Sequence, residues 1–206
     1  MLTAGGDAMK KRAAISEAAG CSVIYLTAVF LHFVYTLSGG AALGIVFGAV
    51  NESVWEHCKI FTAAYIFYSL LQLSWLRLPF RRYVVAKVAG LYLLMGIMIG
   101  FFYTYTYFTG RSIPAVDILS SAVTVVNVQL VTWLLETGRC RIEEFFVPAL
   151  LLLFLYYLMF FSFTVFPPKT DLFRDPISGG YGIRGFFRPF FAFILAGKQI
   201  LQSRVI

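Results

Sequence analysis

The chain has 206 residues, of which 60% are hydrophobic, 18% aromatic and 13% charged, with a mean hydropathy of +0.80. Soluble domains of this size are about 45–50% apolar and about 25% charged, so the composition points away from one and toward a polytopic helical membrane protein. The net charge of +7 lies in short basic clusters between apolar runs, which orients membrane helices and meets anionic headgroups, and nucleic-acid binding is rejected.

In chain order, residues 1–19 form a polar, cytoplasmic N-terminal segment. It leads into an apolar run with no small-residue cleavage site, so the first span is expected to stay as an anchor. Five segments approach the roughly 20 residues that a crossing helix needs. They are Gly20–Leu37, Val54–Leu76, Val84–Phe108, Pro114–Leu135 and Phe145–Phe166, and residues 20–166 are read as one transmembrane domain. No period of 20–50 residues signals a repeat array. Gly39–Val50 is rich in glycine and alanine and too short to cross, which suits a re-entrant or closely packed half-helix. Residues 167–206 are read as a C-terminal cap followed by an amphipathic segment, Pro189–Ile206, that lies in the interface or docks on the bundle. The fold class expected is therefore all-α, a polytopic transmembrane helical bundle.

Basic residues set the orientation. Lys10, Lys11 and Arg12 precede the first span, Arg77, Arg81, Arg82 and Lys87 lie between the second and third, and Arg139 and Arg141 between the fourth and fifth. The opposite loops carry only Arg111, so the N-terminus is expected in the cytoplasm and the C-terminus outside, in the cell membrane. Cys21, Cys58 and Cys140 are scattered and give neither a zinc signature nor a disulfide framework.

Function is addressed by Asn51-Glu52-Ser53-Val54-Trp55-Glu56-His57, a polar cluster between two apolar runs. Ionisable groups beside a bilayer are costly, and a chain that keeps several together usually uses them. Part of the cluster has a local explanation: Ser53-x-x-Glu56 fits a capping box, and Glu52, Glu56 and Lys59 share a helical stripe open to an intrahelical salt bridge. Capping alone explains less well why Asn51, two glutamates and His57 crowd together. Glu52, Glu56 and His57 are thus candidate metal ligands or acid–base groups, with Asn51 as a donor to a developing oxyanion. His57 points away from Glu56, so other segments must contribute, and His32 is the nearest candidate.

A second polar element runs from Pro167 to Pro176 and on to Gly182, punctuated by prolines and glycines. Leu172, Phe173 and Tyr181 give it something to bury, so it is read as an ordered cap that brings Asp171, Arg174 or Asp175 toward Glu52 and His57. Glu17 and Glu136, on the other side, are assigned as partners of loop cations, while Asn127 and Gln129 are taken to join helices by hydrogen bonds.

The N-E-S-V-W-E-H string, the L-H-F-x-Y segment before it and D-P…G-G-Y-G-I near the end resemble a family of small, uncharacterised bacterial membrane proteins, from about Leu31 to Ile183. The resemblance implies the same multi-span architecture and singles out Asn51, Glu52, Trp55, Glu56, His57, Asp175, Tyr181 and Gly182, without an activity. Three functions follow as expectations. The first is an intramembrane enzyme, a hydrolase or transferase using a divalent metal ion on a lipid or lipid-linked substrate. The second is a small-solute or ion-coupled transporter, and the third an accessory subunit packed on a partner or on another copy of the chain.

Overall fold

The computed structural model describes residues 2–183. Pro189–Ile206, expected as an amphipathic segment, lies outside the described residues. The described chain is all-helical, apart from turns and one isolated bridge between Arg174 and Tyr181.

Helix α1 spans Leu2–Leu37, α2 Ala42–Phe47, α3 Val54–Gln72, α4 Phe80–Thr109, α5 Pro114–Thr137 and α6 Phe146–Val165. Short 3-10 turns at Ile142–Phe145 and Asp171–Phe173 complete the set. Residues 2–19 of the expected polar N-terminal segment are the first half of α1, because their alanines, lysines and methionine favour helix and no proline interrupts them.

Local signals mark the helix ends. Gly39 and Gly40 adopt positive φ and close α1. Ser53 caps α3, accepting the Glu56 N–H at 3.3 Å. Pro114 occupies the first turn of α5, where its missing N–H costs nothing.

Among the described residues, four helices are long and apolar enough to cross a membrane: Asp7–Leu37, Phe80–Thr109, Pro114–Thr137 and Ile142–Val165. The expected second span, α3, is more polar, and its position explains why. Thirteen of its nineteen residues are buried. It packs on α1 and α4, the Tyr65 hydroxyl meets Thr132 on α5 at 3.3 Å, and Thr62 meets the Tyr156 hydroxyl on α6 at 2.7 Å. A helix enclosed by four others need not be apolar, because its surroundings are protein rather than lipid. By contrast α6 buries only Ala149, Tyr156, Phe160 and Thr164, one helical stripe, and exposes phenylalanines and leucines elsewhere.

Glycine allows the closest crossings. A Cβ at Gly20 on α1 would lie 2.1 Å from Gln129 Nε2 and 2.5 Å from the Tyr68 ring. At Gly48, just after α2, it would lie 2.6 Å from Gly44 O and 2.8 Å from Tyr35 N. The glycine-rich 39–50 segment therefore folds as a short helix held tightly on the end of α1, which positions the loop carrying Asn51 and Glu52.

Candidate metal centre

Two elements far apart in sequence build the candidate centre. The C-terminal half of α1 carries His32; the loop entering α3 carries Glu52, and the first turn of α3 carries His57. Glu52 stands between the two imidazoles, with Oε1 3.7 Å from His32 Nε2 and Oε2 3.5 Å from His57 Nε2. The rings lie 5.4 Å apart between centroids, inclined by 33°. One ligand atom from each of His32, Glu52 and His57 falls within 4.8 Å of the others.

Backbone geometry orients this group. His57 Nδ1 donates to the Ser53 carbonyl at 2.9 Å, so the Nδ1 proton is assigned by its acceptor and the Nε2 lone pair is left facing Glu52. A carbonyl that holds the remote ring nitrogen is the usual support behind a metal-binding histidine. Asn51 Oδ1 accepts the Ser53 N–H at 2.9 Å, a side-chain turn that sets the loop just before Glu52 enters the cluster. The side chains are partly open, at 26% exposure for His32, 42% for Glu52 and 38% for His57.

The structure corrects the expected ligand set at Glu56. Its carboxylate turns into the bundle, 2.6 Å from Lys59 Nζ, and accepts the Val50 N–H at 2.9 Å. Lys59 in turn donates to Ile45 O at 3.1 Å, capping a carbonyl that six-residue α2 leaves without a helical partner. The expected intrahelical salt bridge forms between Glu56 and Lys59, which also bind the 45–50 backbone to α3, while Glu52 precedes the helix and faces outward. The capping box is half formed, since Ser53 receives the Glu56 N–H but the Glu56 carboxylate goes to Val50.

One of the two Asn51 amide N–H groups donates to Gly182 O at 3.2 Å and so latches the C-terminal cap. The cap is ordered by burial of Phe173, whose ring lies 5.1 Å from both Trp55 and Phe163. Trp55 is thus a wall of the bundle against which the cap docks. Asp175 is buried, and accepts the Ile177 N–H at 3.2 Å and the Ser178 hydroxyl, organising its own turn. Asp171 and Arg174 are exposed, and Tyr181 pairs through its backbone with Arg174. The cap therefore reaches Asn51 but adds no ligand to the metal group among the described residues.

At the other end of the bundle a second polar group is larger than its sequence assignment. Glu17 and Glu136, expected beside loop cations, are buried together around Lys87 on α4. The signal for them was present as charges one or two turns inside apolar helices. Gln129 joins α5 to α1 as expected, donating to Glu17 O at 3.1 Å, whereas Asn127 bonds only its own helix at Val123 O.

The fold and site together define an all-helical bundle of a kind compatible with a membrane, bearing a histidine–carboxylate cluster at one end. Over residues 9–183 the sequence matches the model of a family of unknown function, DUF6512, and the chain belongs to that family. Neither a curated protein nor a solved structure matches it significantly.

Proposed function

We propose that this chain is an integral membrane protein in which His32, Glu52 and His57 hold a divalent metal ion, zinc foremost, that activates water against a lipid or lipid-linked substrate. One observation carries the reading. Two imidazole nitrogens and a carboxylate converge, and their separations of 3.5 and 3.7 Å exceed the length of a good hydrogen bond. Donors about 2.0–2.1 Å from a tetrahedral zinc stand about 3.4 Å apart, close to this spacing. Two histidines and one carboxylate are also a common catalytic zinc set, with a remaining position for water.

The placing of the substrate rests on what surrounds the centre. Phe30, Phe33 and Leu37 on the same half of α1 are exposed, so an apolar chain lying along the bundle would bring its headgroup to the metal. Basic clusters at the opposite loops support an extracytoplasmic position for the centre in the cell membrane. A metal there would polarise the bond to be broken and supply a hydroxide near neutral pH, with Glu52 and the histidines fixing its charge and position.

The test is metal analysis of the purified chain after dialysis against zinc, with lipid extracts compared between cells with and without it. A bound zinc lost in His32→Ala, Glu52→Ala and His57→Ala, together with an altered lipid pool, supports the reading. Absence of metal retention by the folded wild type overturns it.

A further inference from the structure

The buried charges at the far end of the bundle do not balance. Lys87 Nζ lies 2.6 Å from Glu17 Oε1 and 3.4 Å from Glu136 Oε1, so one ammonium serves two carboxylates. The side chains are 7%, 3% and 0% exposed for Lys87, Glu17 and Glu136. Glu17 Oε2 and both Glu136 oxygens receive no hydrogen bond, and Gln129 Oε1, from the same face of α5, is equally unpartnered. Two buried carboxylates facing one ammonium leave an excess negative charge with acceptor oxygens that no donor meets; a carboxyl group gains a donor and loses that charge only by taking a proton.

We propose that Glu17 and Glu136 hold one exchangeable proton between them against Lys87, making this end of the bundle a proton-binding site distinct from the His32–Glu52–His57 centre. Fifteen residues of α1 separate Glu17 from His32, about 22 Å along the helix, so the two groups do not share a ligand.

The neighbours leave the extra charge unneutralised in any other way. From α1, Ser16 receives the Gln72 amide at 2.9 Å, and from α3 the same amide donates to Glu17 Oε1 at 2.8 Å. Tyr68 on α3 donates its proton to Ser16 O, and Tyr65 bonds Thr132 of α5. On α4, Tyr83 donates to Ser69 O at 2.5 Å, and Lys87 lies over the Tyr65 and Tyr83 rings. Arg82 is close by, yet its guanidinium donates to the carbonyls of Leu135, Glu136, Gly138 and Cys140 and to Glu143. No second cation therefore faces the carboxyl pair among the described residues. A metal cation would sit beside the Lys87 ammonium and be repelled; a proton between the oxygens is not.

Solvent comes close to the pair. An open groove of about 470 Å³ between α1 and α3 is lined by Arg12, Ser16, Tyr68 and Trp75 among others. Ser16 on its wall accepts from Trp75 Nε1 at 3.1 Å and from the Gln72 amide that also donates to Glu17, so one side chain separates the groove from the pair. Proton uptake here changes the charge inside the helical contact of α1, α4 and α5.

The experiment is infrared spectroscopy of the full chain in lipid nanodiscs, titrated in H2O and D2O between about pH 5 and 9, spanning the range open to a buried carboxyl. The expected result is a protonated-carboxyl C=O band at neutral pH that fades on alkalinisation and is lost in both Glu17→Gln and Glu136→Gln. Glu136→Gln should also keep or raise the thermal midpoint, since its amide donates where the proton did, whereas Glu136→Ala lowers it. Folded wild type without the band, a band surviving in both glutamine variants, or a band removed by sodium at constant pH would each overturn the proposal.

Discussion

Lys59 Nζ lies 2.6 Å from Glu56 Oε2 in the interior of the bundle, with neither side chain more than 3% exposed. This pair draws Glu56 away from the histidines and joins α3 to the segment before it. Removing one partner from a buried pair strands the other charge and typically costs about 3–5 kcal/mol. Lys59→Ala should therefore lower the unfolding midpoint strongly. Replacing both residues by apolar side chains should cost less than the sum of the single changes, which a double-mutant cycle in detergent measures. Additive losses would show that the two side chains do not interact.

The same geometry separates the two glutamates of the heptapeptide. Glu52→Gln should abolish zinc retention with little change in unfolding midpoint, because the Glu52 side chain is partly open. Glu56→Gln should do the reverse, and metal analysis beside a thermal melt distinguishes them. Zinc retained by Glu52→Gln but lost from Glu56→Gln would reverse the assignment. Since metal must displace protons from ligands, retention should weaken as the pH is lowered.

The cap should open as a unit. Phe173→Ala removes the ring that seats it on Trp55 and Phe163, a loss of about 3–5 kcal/mol for a buried phenylalanine. Hydrogen exchange should accelerate at the Asp175 and Gly179 amides, which bond Gly180 O at 2.9 Å and Asp175 O at 2.8 Å, while the α3 core stays protected. Acceleration spread through α3 would mean that the cap and the bundle unfold together.

Glycines should divide by what surrounds them. Gly48→Ala drives a methyl into the Gly44 carbonyl and the Tyr35 backbone, so a loss of about 1–3 kcal/mol is expected from overpacking. Gly96 and Gly100 have nothing within 4 Å of an added Cβ, and alanine there should be neutral or stabilising by up to about 1 kcal/mol per site. Thermal melts of the three variants check the ranking.

Much of the architecture could be read from local pattern. Long apolar runs, Pro114 and the glycines after Leu37 placed the helix ends to within a few residues, apart from the start of α1, because those signals act within a turn of where they lie. The polar heptapeptide likewise contains two of the three clustered groups, Glu52 and His57. Which of its residues meet one another was not local information. Glu52 and Glu56 are four positions apart and identical in chemistry, yet one faces His32 and the other Lys59, because α2 and the Gly48 contact turn the loop before α3 begins. Glu17, Lys87 and Glu136 come from three helices separated by some fifty to seventy positions, and spacing along a single helix carries no record of such a meeting. Local propensity and hydrophobic period determine that a segment is a helix and which face it buries; side-chain packing between helices decides which polar groups share that interior, since each must find a partner or a proton there.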